Sequence, residues 1–366
     1  MKINTTNLKE YKRIYDITKV IGNDYYDHIY LDFKKEVMTF MNESSIVEIK
    51  LFLEDKNEKQ ENLYIDGTKF FFLVSKFDYL TVKGKVFYSP ENNKFILQNL
   101  DETMQLPSKK EYEWKSVQID FTEDFNKFLV IAKDYLDLTL ETSIFFEKGS
   151  IIALSENRYF QGNTNLDKDS SFSLSLGIIK IIESLPKTVE DSCLLKYRTT
   201  ENDGKIYEIT FKDLVYNFAS SYDNEIAIQP FSEEFIKLFK HENYFVLDLK
   251  SVLEKVKTLD SYNNDANFSL CEIKFFENSL VFYLTNKGTV EYTQEVECYS
   301  DFEIFKDDSF WISLNRFKIA LSSLNLKNYE KIIVRYDKDK DMIYFSDKEE
   351  SGEMYLVQTL LVSPND

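Results

Sequence analysis

The chain has 366 residues, 43% hydrophobic and 16% aromatic, enough to bury cores in two or three domains and too apolar for a chain disordered throughout. Its 63 acidic and 45 basic residues leave a net charge of −18, which excludes nucleic-acid binding through a broadly basic surface. Positive charge confined to one face of an otherwise acidic molecule stays open. The three cysteines, Cys193, Cys271 and Cys298, are far apart, and there are only two histidines, His28 and His241. That argues against a zinc site and against a disulfide framework, and for reduced thiols in a cytoplasmic protein with no cofactor.

The opening "MKINTTNLKEYKRIY" lacks the apolar core of a signal peptide, and the longest apolar runs, such as "FFFLV" at 70–74, are too short to span a bilayer. No membrane partner is expected. A short alternating strand leads into a helix whose stripe is Leu8, Tyr11 and Tyr15, spaced by three and four, with Thr6 as its cap. Further on, "TKFFFLVSKFDYL" from 68 reads as a strand running into a hinge at Ser75 and then a short helix. "GKVFYSPENNKFILQ" reads as a hairpin, two alternating segments about a polar turn. The polar stretch "LPSKKEYEW" (106–114) closes this segment.

The same order then returns twice. "SVQIDFTEDFNKFLVIAKDYL" from 116 gives a strand, a cap at Thr122 and a helical stripe of Phe125, Phe128, Leu129 and Ala132. In "IIALSENRYF" (151–160) four apolar residues meet a polar corner carrying Arg158, and Tyr159 and Phe160 open the next strand. "SSFSLSLGIIKIIESL" has its hinge at Gly177, and "CLLKYRTTENDGKIYEITF" is a second hairpin. After the charged join "KLFKHENYF" (237–245), "YFVLDLKSVLEKVKTL" repeats strand and stripe with Val252, Leu253 and Val256 behind Ser251. "DSFWISLNRFKIALSSL" turns at Asn315, and "KIIVRYDKDKDMIYFSD" is the third hairpin. The expected organisation is three modules, 1–112, 113–241 and 242–366, each of about 115–130 residues, an ordinary domain size.

No catalytic constellation stands out. Neither histidine lies in a nucleophile context, and "KGKVFYS" and "NDGKIYE" are turns rather than phosphate-cradling loops. "DKDKDM" (337–342) lacks the glycine and terminal glutamate of a calcium loop and falls at a hairpin tip. The chain is not expected to be an enzyme.

Three such modules at this length resemble the bacterial-type DNA sliding clamp, the beta subunit of the replicative DNA polymerase III. The resemblance is firmest in the last third, through "FVLDLKSVLEKVKTL", "FWISLNRFKIALSSL" and "MYLVQTLL". At the corner, "ALSENRYF" lies over the family's Ala-Thr-Asp-Gly-His-Arg-Leu-Ala, with Ala153 and Arg158 matching. The resemblance implies an α+β clamp fold: three modules, each with two helices packed on antiparallel sheets, forming a half ring. Two chains close head to tail around double-stranded DNA without reading its sequence, and tether DNA polymerase and the clamp loader through short linear motifs. Residues on the polar helix faces would then meet phosphates: Lys9, Lys12, Arg13, Lys76, Lys127, Lys133, Lys180, Lys250, Lys257, Arg316 and Lys318. Surplus acid would sit outside.

Carried over by position, the peptide pocket would take Leu154, Glu156, Asn157, Arg158 and Tyr159 from the corner. "PFSEEFIKLF" would add Pro230, Phe235 and Ile236, and the last strand Leu356, Gln358, Thr359 and Leu360. Apolar walls would hold an anchor side chain and polar groups would orient it. The resemblance also implies a homodimer seam of Phe95 and Leu97 against Val256 and Leu259. The chain departs from the family in its "QTLLV" ending and in lacking Gly-His before Arg158, which puts the pocket's shape in doubt. These departures suit a bacteriophage version, and the Lys, Asn, Ile and Phe bias suits an AT-rich genome. The implied location is the cytoplasm of a bacterium, nucleoid-associated, or of a phage-infected host. The alternative is a clamp-fold interaction or inhibitory protein that does not retain DNA.

Overall fold

The computed structural model describes residues 1–21, 27–56, 59–97, 113–136, 143–155, 158–199, 205–220, 244–262, 270–276, 278–286, 289–300, 309–337, 341–347 and 354–359. The joins expected near 112 and 241 lie outside them.

One order of elements occurs three times: a strand, a helix, a three-strand meander, a strand, a helix, a second meander. In the first pass β1 (Lys2–Asn4) leads into α1 (Thr6–Glu10) and α2 (Lys12–Ile21). The first meander is β2 (His28–Asp32), β3 (Val37–Met41) and β4 (Ser45–Lys50), which runs on into β5 (Phe52–Glu54). Then come β6 (Leu63–Asp66), α3 (Gly67–Lys76) and the meander β7 (Tyr79–Lys83), β8 (Val86–Tyr88), β9 (Lys94–Ile96). The second pass is β10 (Lys115–Asp120), α4 (Glu123–Tyr135), β11 (Ser143–Glu147), β12 (Ser150–Ser155) and β13 (Arg158–Asn163). It continues with β14 (Ser171–Ser175), α5 (Leu176–Ser184), β15 (Ser192–Thr199), β16 (Lys205–Phe211) and β17 (Leu214–Ser220). The third is β18 (Tyr244–Asp248), α6 (Leu249–Ser261), β19 (Leu270–Phe276), β20 (Ser279–Asn286) and β21 (Thr289–Ser300). It ends with β22 (Ser309–Ser313), α7 (Leu314–Leu326), β23 (Lys331–Asp337), β24 (Met342–Asp347) and β25 (Met354–Thr359).

The chain divides into two compact units. The first comprises Met1–Thr122 and Ser175–Asn224, the second Glu123–Leu174 and Glu225–Asp366. In the first unit a five-stranded sheet runs β5-β1-β7-β8-β9, and an eight-stranded one runs β10-β15-β16-β17-β4-β3-β2-β6. In the second, twelve strands run β14-β11-β12-β13-β25-β24-β23-β18-β21-β20-β19-β22, paired antiparallel. Meanders from different passes join edge to edge. β17 pairs with β4 through Leu214↔Ile49, and β25 with β13 through Leu356↔Phe160.

The helical stripes lie in the core as their spacing requires: Leu8, Tyr11 and Tyr15; Phe125, Phe128, Leu129 and Ala132; Val252, Leu253 and Val256 are all buried. The three hairpins also form, as β8·β9, β15·β16 and β23·β24. The second helix of the first pass departs from expectation. "FFFLV" is helical rather than extended, and the strand before it is Leu63–Asp66. Asp66 caps the helix by accepting from the Lys69 amide at 2.8 Å, and Phe70, Phe71 and Val74 are buried on one side. A short apolar run is ambiguous between the two states, and a cap decides it. Two caps also shift. Thr5, not Thr6, is the N-cap of α1, and Asp248, not Ser251, caps α6, accepting from the Ser251 amide at 2.8 Å.

Two glycines allow close approach. A Cβ on Gly162 would lie 2.6 Å from the Phe128 ring, and one on Gly67 2.4 Å from the Tyr15 hydroxyl. Cys193, Cys271 and Cys298 are free and buried. Among the described residues no helix is long and apolar enough to cross a membrane, and no group of His, Cys, Asp or Glu is placed to hold a metal ion.

Candidate functional site

The corner at 151–160 is a hairpin. β12 and β13 pair through Ser155↔Arg158 and Leu154↔Tyr159, and β25 lies on the other side through Arg158↔Gln358 and Tyr159↔Val357. Side chains alternate between the two faces. On the helix-facing side Phe160 sits 6.0 Å from Phe128 and 5.9 Å from Tyr135 of α4, with fully buried Leu356 as its cross-strand partner. On the opposite face Tyr159 joins Ile152, Tyr344 and Val357 in a buried apolar cluster, against which Phe145, Leu154, Met342 and Tyr355 pack partly buried. The Tyr159 hydroxyl donates to Gln161 Oε1 at 2.6 Å, and burial raises its pKa well beyond the usual phenol range.

The predicted pocket residues therefore divide. Leu154 and Tyr159 share the outer cluster, whereas Leu356 faces the core, and its neighbour Val357 takes the outer position. Gln358 and Thr359 lie on β25, paired with Arg158 and Met342 respectively. Glu156, Asn157, Pro230, Phe235, Ile236 and Leu360 lie outside the described residues. Arg158 is 9% exposed, and its guanidinium reaches inward. Nη1 donates to the Asp134 carbonyl at 2.8 Å and Nη2 to that of Leu136 at 3.5 Å, with the Tyr135 ring 5.8 Å away. The last carbonyls of a helix lack intrahelical donors and carry partial negative charge, so a guanidinium is a fitting cap. Sequence reasoning placed Arg158 at the corner but missed what it holds, because α4 ends over twenty residues earlier in the chain.

The predicted DNA-facing cations also sort into groups. Lys9 pairs with Asp78 at 2.7 Å, Lys12 with Asp16 at 2.5 Å and Lys127 with Glu123 at 2.6 Å, and Lys318 pairs with Asp260. Lys76 lies 5.6 Å from the Phe72 ring, and Lys133 and Arg316 are half-buried. Arg13, Lys180, Lys250 and Lys257 are exposed and make no ion pair among the described residues. Lys250 and Lys257 line one cleft between α6 and the end of α7, along with Asp248, Glu254, Glu330 and Lys331.

Of the four predicted seam residues, Leu97, Val256 and Leu259 are buried in the chain's own core, and Phe95 is half-buried, 6.0 Å from Phe77. Exposed apolar side chains nearby in sequence are Ile96 beside Phe95, and Tyr262 just past α6, stacked at 4.5 Å on Tyr292 of β21.

No family model and no curated protein matches the sequence. Solved structures do match. The DNA polymerase III beta subunit of Thermotoga maritima is 13% identical, with 99% of each chain covered and a TM-score of 0.73. The fold is that of the bacterial DNA sliding clamp. The beta subunit of Pseudomonas aeruginosa is 10% identical, covering 99% of this chain and all of that one, with a TM-score of 0.73. The Helicobacter pylori beta clamp, solved bound to a DNA ligase peptide, is 15% identical over 99% of this chain and all of that one, with a TM-score of 0.67. The clamp fold thus extends over the whole chain at an identity that leaves few side chains in common.

Proposed function

We propose that this chain is a DNA sliding clamp: a non-enzymatic processivity factor that closes head to tail with a second copy around duplex DNA and holds replication proteins by short peptides. The observation that carries this reading is the edge rule. Each time two meanders from different passes meet, the last strand of a second meander pairs with the last strand of a first one, β17 with β4 and β25 with β13. In this reading the modules are 1–112, 113–241 and 242–366, and the rule is applied to each. It leaves one strand of each kind over, β9 in the first module and β21 in the third. A second copy satisfies both at once, and a heterologous contact that closes gives a ring. Enclosure makes strong phosphate contacts unnecessary, which suits a net charge of −18.

For docking, support comes from the outer cluster around Tyr159 and Val357 on the β13·β25 seam. A clamp of this fold is known with a DNA ligase peptide bound. In this reading Leu154, partly exposed at the cluster's rim, is the first side chain a partner's apolar anchor meets, and Arg158 holds the corner rigid beneath it.

Imaging of the purified protein by negative stain, with its mass measured in the same buffer, tests the ring. Two copies around a hole wider than the roughly 20 Å of a duplex are expected. A monomer at every concentration overturns the reading. The second reading, a clamp-fold protein that no longer retains DNA, is favoured by one observation: Lys9, Lys12, Lys127 and Lys318 are already matched by acids. Retention on nicked circular plasmid, lost when the plasmid is linearised, separates the two.

A further inference from the structure

We infer that the ring closes through a charged strand seam in which Lys94 of one copy sits between Glu295 and Glu297 of the other. This rests on the clamp reading and fixes the register of its closing edge.

The register follows from burial. In both internal joins buried residues face buried residues: Leu214 meets Ile49, and Leu356 meets Phe160. A slip of one residue would turn every side chain to the wrong face. Ile49, Gly162 and Val296 are equivalent, because each pairs with the first core residue of the strand before it, Met38, Ile151 and Leu280. β21 also runs on past its free edge to pair with β18 through Leu247↔Cys298, as the β4–β5 run does with β1 through Asn4↔Phe52. On β9 the inward residue is Phe95, paired with fully buried Phe87, and Lys94 and Ile96 point out. Phe95 must therefore face Val296 or Gln294. Either choice sets Lys94 directly opposite one glutamate and diagonal to the other, within reach of both.

Charge argues for the same occupant. Lys94 and Glu297 are exposed and make no ion pair among the described residues, and exposed Glu295 accepts from Ser279 Oγ at 2.6 Å. A second copy supplies the opposite sign at each edge. Unpaired strand edges attract other strands, and opposite charges select which one docks.

The test is sedimentation equilibrium of Lys94→Glu, of Glu297→Lys and of the double variant Glu295→Lys/Glu297→Lys. At low salt Lys94→Glu and the double variant should each dimerise at least about tenfold more weakly than wild type, since attraction becomes repulsion at both seams of the ring, and Glu297→Lys, which keeps Glu295 beside Lys94, should fall between them and wild type. Mixing Lys94→Glu with the double variant should restore dimers, because a mixed ring holds one natural seam and one with charges exchanged. The differences should shrink at 0.5 M salt, where the Debye length falls to about 4 Å. Circular dichroism confirms that each variant is folded. Variants that dimerise like wild type, or mixtures that regain nothing, overturn this seam while leaving the ring standing. A wild type that never dimerises overturns the ring itself.

Discussion

Lys187 is held where an ammonium is poorly served. Its Nζ is buried without a hydrogen-bond partner, 4.2 Å from the centre of the Phe121 ring. Burial lowers its pKa to about 8. The unfolded chain, with a lysine near 10.5, binds more protons between those values, so stability should rise as pH climbs from about 8 to about 10.5. Replacing Lys187 with Met should raise the melting temperature at pH 7 by several degrees, and the gain should fade by pH 10 in a thermal scan. Asp27 has the opposite sign. Burial opposes its ionisation, but hydrogen bonds from Tyr15, Thr68 and Lys19 outweigh this and hold it at about 2. Its contribution is complete above about pH 4 and is lost as pH falls toward 2. The Asp27 side chain is more than a third exposed, so solvent screening discounts the effect, and Asp27→Asn should destabilise the protein by about 0.5–1 kcal/mol at pH 7, its acid unfolding curve flattening over that window. Neither residue could be singled out in the sequence. Partners such as Tyr15 and Thr68 converge on Asp27 only once α2, α3 and β2 have packed.

At the scale of elements, Arg158 links a strand corner to the end of α4. Arg158→Ala should lower the unfolding free energy by about 1–3 kcal/mol in chemical denaturation even with no peptide present, because two carbonyls lose a charged donor. Arg158→Lys should recover little, since an ammonium cannot reproduce the fork. Much of the element order was legible. Leu8, Tyr11 and Tyr15 repeat every three or four residues, and "IIALSENRYF" alternates about a polar corner, so periodicity identified both. The failure at "FFFLV" has a clear cause: five apolar residues in a row satisfy either period, and the deciding signal was Asp66 as a cap three residues before Lys69. Ser251 was misread for a related reason, since Asp248 three positions earlier was the better acceptor.

For the molecule as a whole, the threefold order was visible without identity between the repeats, because order survives when residues change. Which edges join was not visible. Ile49 and Leu214 pair across more than 160 positions, and nothing local in either strand names the other. The ion pairs that neutralise Lys9 and Lys318 were hidden likewise, their partners Asp78 and Asp260 lying far along the chain. In the proposed ring, Arg13, Lys180, Lys250 and Lys257 would carry most of the phosphate contact. Changing any one to Ala should reduce the slope of log affinity against log salt by about 0.9, measured by fluorescence anisotropy on a duplex. The same change at Lys12, already paired with Asp16, should leave the slope nearly unaltered.

The three native thiols are all buried, and burial raises that of Cys193 to about 12. A maleimide dye should therefore find the natural chain almost inert without any cysteine being removed. A cysteine introduced at Lys94 and another at Glu297 would then be the only reactive sulfurs, placed in the proposed seam so that an added oxidant such as copper–phenanthroline takes two electrons and joins them as a disulfide. The product would be a protein catenated on circular DNA, which boiling in detergent could not release until the disulfide was reduced.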